Sequence, residues 1–400
     1  MEERTRAYLR GRFRDHYRRK TWSSEPSGEA RGRRTELTPP PDHEAREWGY
    51  IPWTAGPTTM VRHQSLLELG ELGDFLRRER PRHVYFSAGR YDDPGADDMD
   101  AKGWRDSDLV FDIDADHLSG VDPQRDSYAE MLAAGKDEVR NLLDLLEGDF
   151  GFEELTVVFS GGRGYHVHVR DEGVRELDRD ERREIVDYIR GEGIDRDAIQ
   201  RTEMGGTATR RVLETEGGWG QRVHRELLAL ADQLLELPED DALDRLKEFD
   251  GIGDGRAKTI LGAVSEDYEK LESGNIERGG QGIRELTKVM TQKVVAEESA
   301  AIDEPVTTDL RRLIRLPGSL HGGTGLEVTR IPRDEIDAFD PLSDPVPETF
   351  EGHDVTVEVN EPGPVELRDE SFTLPDGDVS VPEYVAVFLM ARGRAEKGKE

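Results

Sequence analysis

The sequence predicts an α/β (α+β) chain in which a mixed-sheet core, drawn from both ends, is interrupted by a mainly helical insertion. Three observations predict it. Runs rich in β-branched and aromatic residues, such as "HVYFS" (83–87) and "LTVVFSGGRGYHVHV" (155–169), read as strands in the first part. From about 175 to 300, apolar residues recur at helical spacing between acids, as in "VHRELLALADQLLEL". From 303 onward strand and turn signals return in "GLEVTRI" (325–331) and "DVTVEV" (354–359). The expected domains are therefore 1–174 and 301–400 for the two parts of the core, and 175–300 for the insertion.

Each element has its own signal. Residues 1–20 are basic, with Tyr8, Leu9, Phe13 and Tyr17 near helical period, which predicts a short helix. Residues 21–45, rich in Ser, Gly and Pro, read as a loop. Strand-like pieces follow around Trp48–Trp53 and Thr58–Val61, then a helix from about Ser65 to Arg80 carrying Leu66, Leu67, Leu69 and Leu72. Residues 89–105 read as an acidic Gly/Asp loop. "DLVFDID" (108–114) is a strand, expected to be central because Leu109, Val110 and Phe111 are strongly apolar. A helix is expected from about Tyr128 to Leu146, and a last one near Pro382–Gly393.

Charge is the compositional outlier. The chain has 87 acids against 55 bases, net −32, and only ten of the bases are Lys. That balance fits a salt-saturated cytoplasm, where charges are screened over roughly 3 Å near molar salt. A nucleic-acid partner is therefore not excluded by the acidity. There is no Cys, which excludes disulfides, thiolate nucleophiles and thiolate metal sites. The N-terminus is charged throughout and no run approaches the ~20 apolar residues of a membrane span. The expectation is a cytoplasmic protein with no membrane partner.

Three stretches carry chemistry. In "DLVFDIDADH", Asp112 and Asp114 lie two apart, so a strand points both to one face, where they suit Mg²⁺ or Mn²⁺. In "FSGGRGYHVHV", Ser160, Gly161, Gly162 and Gly164 let backbone approach a ligand, and Arg163 offers a fork that fits phosphate. His166 and His168 then share one strand face. No Gly-Lys-Ser/Thr follows, so this is not a P-loop, and a plain hairpin with surface histidines is the bland alternative. In "IDEPVTTDLRRLIRLPGSLHGGTGL" (302–326), Asp303 precedes Thr307 and Thr308, read as a helix N-cap. Arg311, Arg312, Arg315 and a second Gly-rich loop with His321 follow. Three acids, several cations and two Gly-rich loops suit metal-assisted phosphoryl chemistry.

At these residues the chain resembles the catalytic (small) subunit of archaeal and eukaryotic DNA primases, and its charge pattern points to a haloarchaeal member. The likeness extends to "REWGYIPW", "MVRHQSL", "YFSAGRY", "FDPLSDPVP" and "PEYVAVFLMARGRAEKG". The resemblance implies a core with an RRM-like sheet and a helical subdomain. It implies two divalent ions, Mg²⁺ or Mn²⁺, on Asp112, Asp114 and Asp303. Ser160, Gly161, Arg163, Gly164 and His166 would bind the incoming NTP or dNTP, and Arg315 and His321 its phosphates. Arg62 and Glu47 match further positions near the nucleotide. The implied partners are a single-stranded DNA template and a large subunit carrying an iron–sulfur cluster. The implied activity is primer synthesis in DNA replication by a nucleotidyltransferase, with RNA and possible DNA products. The rivals are a related primase-polymerase or repair polymerase, a metal-dependent phosphohydrolase and a non-catalytic nucleic-acid-binding subunit.

The sequence departs from the family in one place. Many archaeal relatives carry a Cys/His zinc knuckle after the acidic motif. Here Asp116 and His117 follow without any Cys, so no structural zinc is expected and segment 118–140 should be held by packing alone. Outside the three motifs, "FDGIGDGRAKTIL" (249–261) reads either as a helix-hairpin-helix turn or as a simple Gly turn. In the first reading Gly251, Gly253, Gly255 and Arg256 would grip a DNA phosphate.

Overall fold

The structure, a computed structural model, describes residues 1–22, 36–37, 39–54, 59–195, 197–205, 208–277 and 280–399. Thr58 and most of the expected 21–45 loop lie outside them. The chain clusters into two compact units. One comprises Met1–Val139, Glu153–Arg183 and Ile302–Glu400; the other comprises Arg140–Phe152 and Glu184–Ala301.

Two antiparallel sheets of the first unit, among the described residues, carry the site. In one, the strand order is Leu313–Arg315, His83–Tyr91, Arg46–Ile51, Val61–Gln64, and Trp104–Ser107 also pairs with His83–Tyr91. In the other, the order is Thr329–Ile331, Leu155–Phe159, Gly164–Val169, Leu109–Asp114. All ladders in both are antiparallel. The fold class is thus α/β in the sense of helices mixed with antiparallel sheets. Phe86 of the first sheet stacks on His168 of the second, with ring centroids 6.1 Å apart. His166 and His168 are therefore buried between sheets and not surface residues. A third sheet, Gly377–Val381, Val355–Val359 and Ala395–Lys397, packs with the helix Glu383–Arg392.

The chain changes sheets at one residue. Trp104–Ser107 belongs to the first sheet and Leu109–Asp114 to the second, with Asp108 between them. Asp108 is fully buried and its two carboxylate oxygens each accept from Arg46 Nη2 at 3.0 Å. Arg170 Nε donates to the same carboxylate at 3.1 Å, and Arg182 donates to the carbonyls of Ser107 and Asp108. A buried acid with this many charged donors is held in place, because a missing partner would strand a charge in low dielectric.

Several sequence expectations change. The acid strand is not central: Leu109–Asp114 is an edge strand, laddered only to Gly164–Val169. Its apolar residues are buried because its sheet packs on both faces, whatever its position in the order. The expected helix from Ser65 to Arg80 is two helices, Leu66–Leu69 and Leu72–Glu79, broken at Gly70, which adopts φ +76°. The expected 89–105 loop contains the end of a fully buried strand, the helix Met99–Lys102 and the start of Trp104–Ser107. Its charges misled: Lys102 is buried against Glu47 at 2.8 Å, and Arg90 pairs with Asp42 and Asp106. Thr307 and Thr308 do not open a helix. Asp303 and Pro305 open the helix Glu304–Thr308, and the arginines beyond it lead into a strand.

In the second unit, the helices Gly218–Glu236, Glu239–Lys247, Asp254–Glu266 and Gly280–Glu298 bury Leu227, Leu246, Ile260 and Leu286. Arg222 ties this unit together, bonding Asp144, Asp149 and Glu298. The unit also holds a hairpin, Gln200–Gly205 with Ala208–Leu213, that the sequence did not announce.

Candidate active site

Asp112 and Asp114 lie on the edge strand opposite His166 and Gly164 of its neighbour. His166 Nε2 lies 3.4 Å from Asp112 Oδ1. Asp303 is 189 positions beyond Asp114 in the chain, yet its backbone N–H donates to the Asp112 carbonyl at 2.9 Å. The free side of an edge strand makes that bond available. The three acids are thereby neighbours.

Two of them, Asp112 and Asp114, are pushed toward the neutral form. Burial raises the Asp112 pKa to about 6, and Asp303 adds to the rise against the opposing fields of Arg315 and Arg312. Asp114 is also raised, by burial and then by Asp112 and Asp116. Such hard-oxygen donors fit a divalent cation. Among the described residues, Asp114, Asp116 and His117 bring candidate ligand atoms within 4.8 Å of one another, with Asp112 and Asp303 outside that group. Asp116 is met by Arg163 Nη1 at 2.5 Å.

The Gly-rich turn between Leu155–Phe159 and Gly164–Val169 is tied by Ser160. Its Oγ accepts from the N–H groups of Gly162 and Gly164, both at 3.3 Å. Gly161 has φ +72°, and a Cβ there would lie 2.8 Å from His321 Cβ. The second Gly-rich loop is thus packed directly on the first. Thr324 donates its hydroxyl to the Gly161 carbonyl, sealing the pair. His321 Nδ1 lies 3.3 Å from the Gly323 backbone nitrogen and 3.2 Å from the Thr324 hydroxyl oxygen, so its ring is fixed by its own loop. Burial, then Arg315 and His83, hold His321 well below its ordinary pKa. Arg315 ends the strand Leu313–Arg315 with its guanidinium over the Tyr85 ring, 5.7 Å from the centroid. Its Nε is buried without a hydrogen-bond partner, as an anion-binding group awaiting its ligand would be.

Two residues that sequence reasoning missed hold this loop. Arg82 Nε donates to the Gly322 carbonyl at 3.2 Å, and His83 Nδ1 accepts from Gly322 N–H at 3.3 Å. The His83 ring also meets His321 edge-on at 4.9 Å. The hint was the alternation of His83 and Tyr85 on one strand face.

Other expected site residues stand apart. Glu47 is fully buried and its carboxylate accepts from Lys102 Nζ, Arg62 Nε and the His63 N–H. Among the described residues no contact links Glu47 or Arg62 to the aspartates, although both lie in the sheet that carries Arg315. Gly251, Gly253, Gly255 and Arg256 belong to the other unit. Gly251 and Gly253 lie in the turn between the helices Glu239–Lys247 and Asp254–Glu266, and Gly255 and Arg256 in the first turn of the latter, with Arg256 Nη1 on the Gly251 carbonyl at 2.5 Å.

Comparisons with known proteins give the family. A family model described as DNA primase small subunit matches residues 111–332. A protein of Haloarcula marismortui named DNA primase small subunit PriS is 61% identical over 408 residues, covering the whole of both chains. The chain belongs to the DNA primase small subunit family. Relatives of the same name from Halorubrum lacusprofundi and Methanothrix thermoacetophila are 55% and 41% identical, again over the full length of both chains. The haloarchaeal relatives fit the excess of acids in this chain. In this primase chain, segment 118–140 is held by more than packing. Ser127 and Glu130 form a reciprocal cap at the start of helix Tyr128–Gly148. Tyr128 donates its hydroxyl to the Gly162 carbonyl beneath the Arg392 guanidinium, and Lys136 Nζ binds the carbonyls of Asp337 and Phe339. Among the described residues no helix is long and apolar enough to cross a membrane.

Proposed function

We propose that the chain is the catalytic subunit that joins nucleotides on a single-stranded DNA template, making short RNA or DNA primers for replication. The reading is supported above all by the Asp303 N–H to Asp112 carbonyl bond, which sets a distant third acid beside the acid strand. Asp112, Asp114 and Asp303 would hold two divalent ions, Mg²⁺ or Mn²⁺. Bound there, such ions lower the pKa of an attacking 3′-hydroxyl and neutralise charge as pyrophosphate leaves.

The chain's own residues do the rest. Ser160 keeps the first Gly-rich turn closed, so that its backbone can approach a triphosphate. Arg163 is half-exposed and swings between Asp116 and a phosphate. Arg315 supplies the buried cation with an unfilled donor, and His321 contacts the phosphates beside it. His166, neutral because burial lowers its pKa to about 3, fixes the Asp112 carboxylate without competing for the cation site. The two parts of the core flank the helical insertion along the chain, and the insertion's Gly251–Arg256 turn is offered as a template contact. The partner is a large subunit bearing an iron–sulfur cluster, which a chain without Cys cannot hold by thiolates.

Primer-free synthesis on single-stranded DNA in molar KCl with Mn²⁺ tests the proposal. Wild type should make primers and Asp112→Asn should make none. Synthesis only from a pre-formed primer would favour the repair-polymerase reading instead.

A further inference from the structure

The N-terminal helix Glu3–Arg19 carries charge against the trend of the molecule. Residues 1–20 hold eight Arg or Lys against three acids, in a chain of net −32. Leu9, Phe13 and Tyr17 bury one face of this helix. Arg10, Arg14 and Arg18 follow one position behind each and make a second row, at successive steps of about 6 Å along the axis. Among the described residues no carboxylate pairs with any of the three, whereas Arg12, on another face, bonds Asp15 and Glu383.

A fourth arginine meets this row. Helix Leu72–Glu79 packs against the N-terminal helix, and Arg80 caps its C-terminal end. Arg80 sits in left-handed backbone at φ +52°, and its Nε is buried with no hydrogen-bond partner. Desolvation, then the fields of Arg14, Arg10 and Arg18, lower its pKa. Like charges at these spacings repel. In a chain of net −32, a row of four arginines with no carboxylate bonded to it among the described residues marks a place for an external polyanion.

The helix that bears the row packs on the second Gly-rich loop. His16 Nε2 of the same helix lies 3.1 Å from the Gly318 carbonyl, and the Leu320 N–H donates to the Tyr17 hydroxyl oxygen at 3.3 Å. Arg80 stands two residues before Arg82, which binds the Gly322 carbonyl. The steps of the row are comparable with the spacing of successive phosphates in an extended strand.

We propose that Arg10, Arg14, Arg18 and Arg80 form a phosphate-binding strip for the nucleic-acid strand that leads to the active site. It reads backbone and not bases, so it sets the path of the strand without selecting sequence. The inference rests on the primase reading and adds to it a surface outside the three motifs.

The test measures binding of a fluorescent single-stranded DNA to the full chain across a KCl series, with thermal melts as a check on folding. The variants are Arg10→Gln/Arg14→Gln/Arg18→Gln together, and Arg80→Gly. Glycine suits the positive φ at position 80, so that variant removes charge while relieving strain. Both should bind DNA more weakly, and the log–log salt slope should become shallower by about 0.7 for each phosphate that the variant no longer neutralises. Mn²⁺–nucleotide affinity measured without DNA should not change. DNA affinity and slope equal to wild type in both variants would overturn the strip, as would an equal loss of nucleotide affinity. Variants that bind DNA normally but no longer associate with a large subunit would make the row a protein interface and overturn it too. Wild type that binds DNA but makes no primer would sink the primase reading while leaving the slopes to judge the strip.

Discussion

Gly164 sets how closely the Gly-rich turn lies on the acids. A Cβ there would stand 2.0 Å from the Ile113 carbonyl oxygen, between Asp112 and Asp114, and backbone cannot give way cheaply. Gly164→Ala should therefore destabilise by about 1–3 kcal/mol, read as a lower denaturation midpoint, and reduce synthesis with it. A normal midpoint would show that the strand moves freely. Arg315 makes a cleaner chemical test, because its Nε has no partner to lose. Arg315→Ala should leave the fold near wild-type stability and cost on the order of 10²-fold in synthesis rate. At His83, a leucine should raise the nucleotide KM, and an asparagine, which keeps an acceptor for the Gly322 N–H, should restore it. Equal KM values for the two variants would reduce His83 to filler.

Among the elements, the strand that bears Asp112 and Asp114 is anchored where it begins, beside Asp108. Asp108→Asn leaves Arg46 buried without its counter-charge and should cost about 3–5 kcal/mol. Burial alone would raise the Asp108 pKa, but Arg46 and Arg170 outweigh it and hold the carboxyl below its ordinary range. A depressed folded pKa gives stability that is present above the unfolded value and lost as pH falls through the folded one. Wild type should thus lose stability on acidification below the usual carboxylate range, and Asp108→Asn should lose less. Parallel pH profiles would contradict this.

The elements also show what a sequence reveals. Leu109–Asp114 and Gly164–Val169 were legible because both combine apolar runs with regular alternation. The segment from Gly89 to Ser107 was not, because Arg90 and Lys102 look solvated until their partners at Asp42, Asp106 and Glu47 are known. Edge placement of the acid strand was hidden as well, since a strand covered on both faces reads as central. The approach of Asp303 to Asp112 could not come from spacing; it was available only through the family resemblance. Arg82 and His83 gave no motif beyond the His83–Tyr85 alternation, since their role lies in backbone groups of Gly322 far along the chain.

For the whole molecule, a net charge of −32 means self-repulsion that only salt removes. The melting temperature should rise steeply with KCl toward molar concentrations, and a flat profile would remove the halophilic explanation of the composition. Chelation of divalent ions should abolish synthesis while leaving the DNA-binding strip active. The central claim is that acids from distant parts of the chain share the cations beside the nucleotide cradle. The most direct measurement is Mn²⁺ binding by electron paramagnetic resonance with nucleotide present, comparing wild type with Asp303→Asn. The Asp303 side chain makes no capping bond to its helix, so the variant should fold normally. Loss of tightly bound Mn²⁺ at unchanged stability is the predicted result; the same number of ions bound at the same affinity would contradict the account.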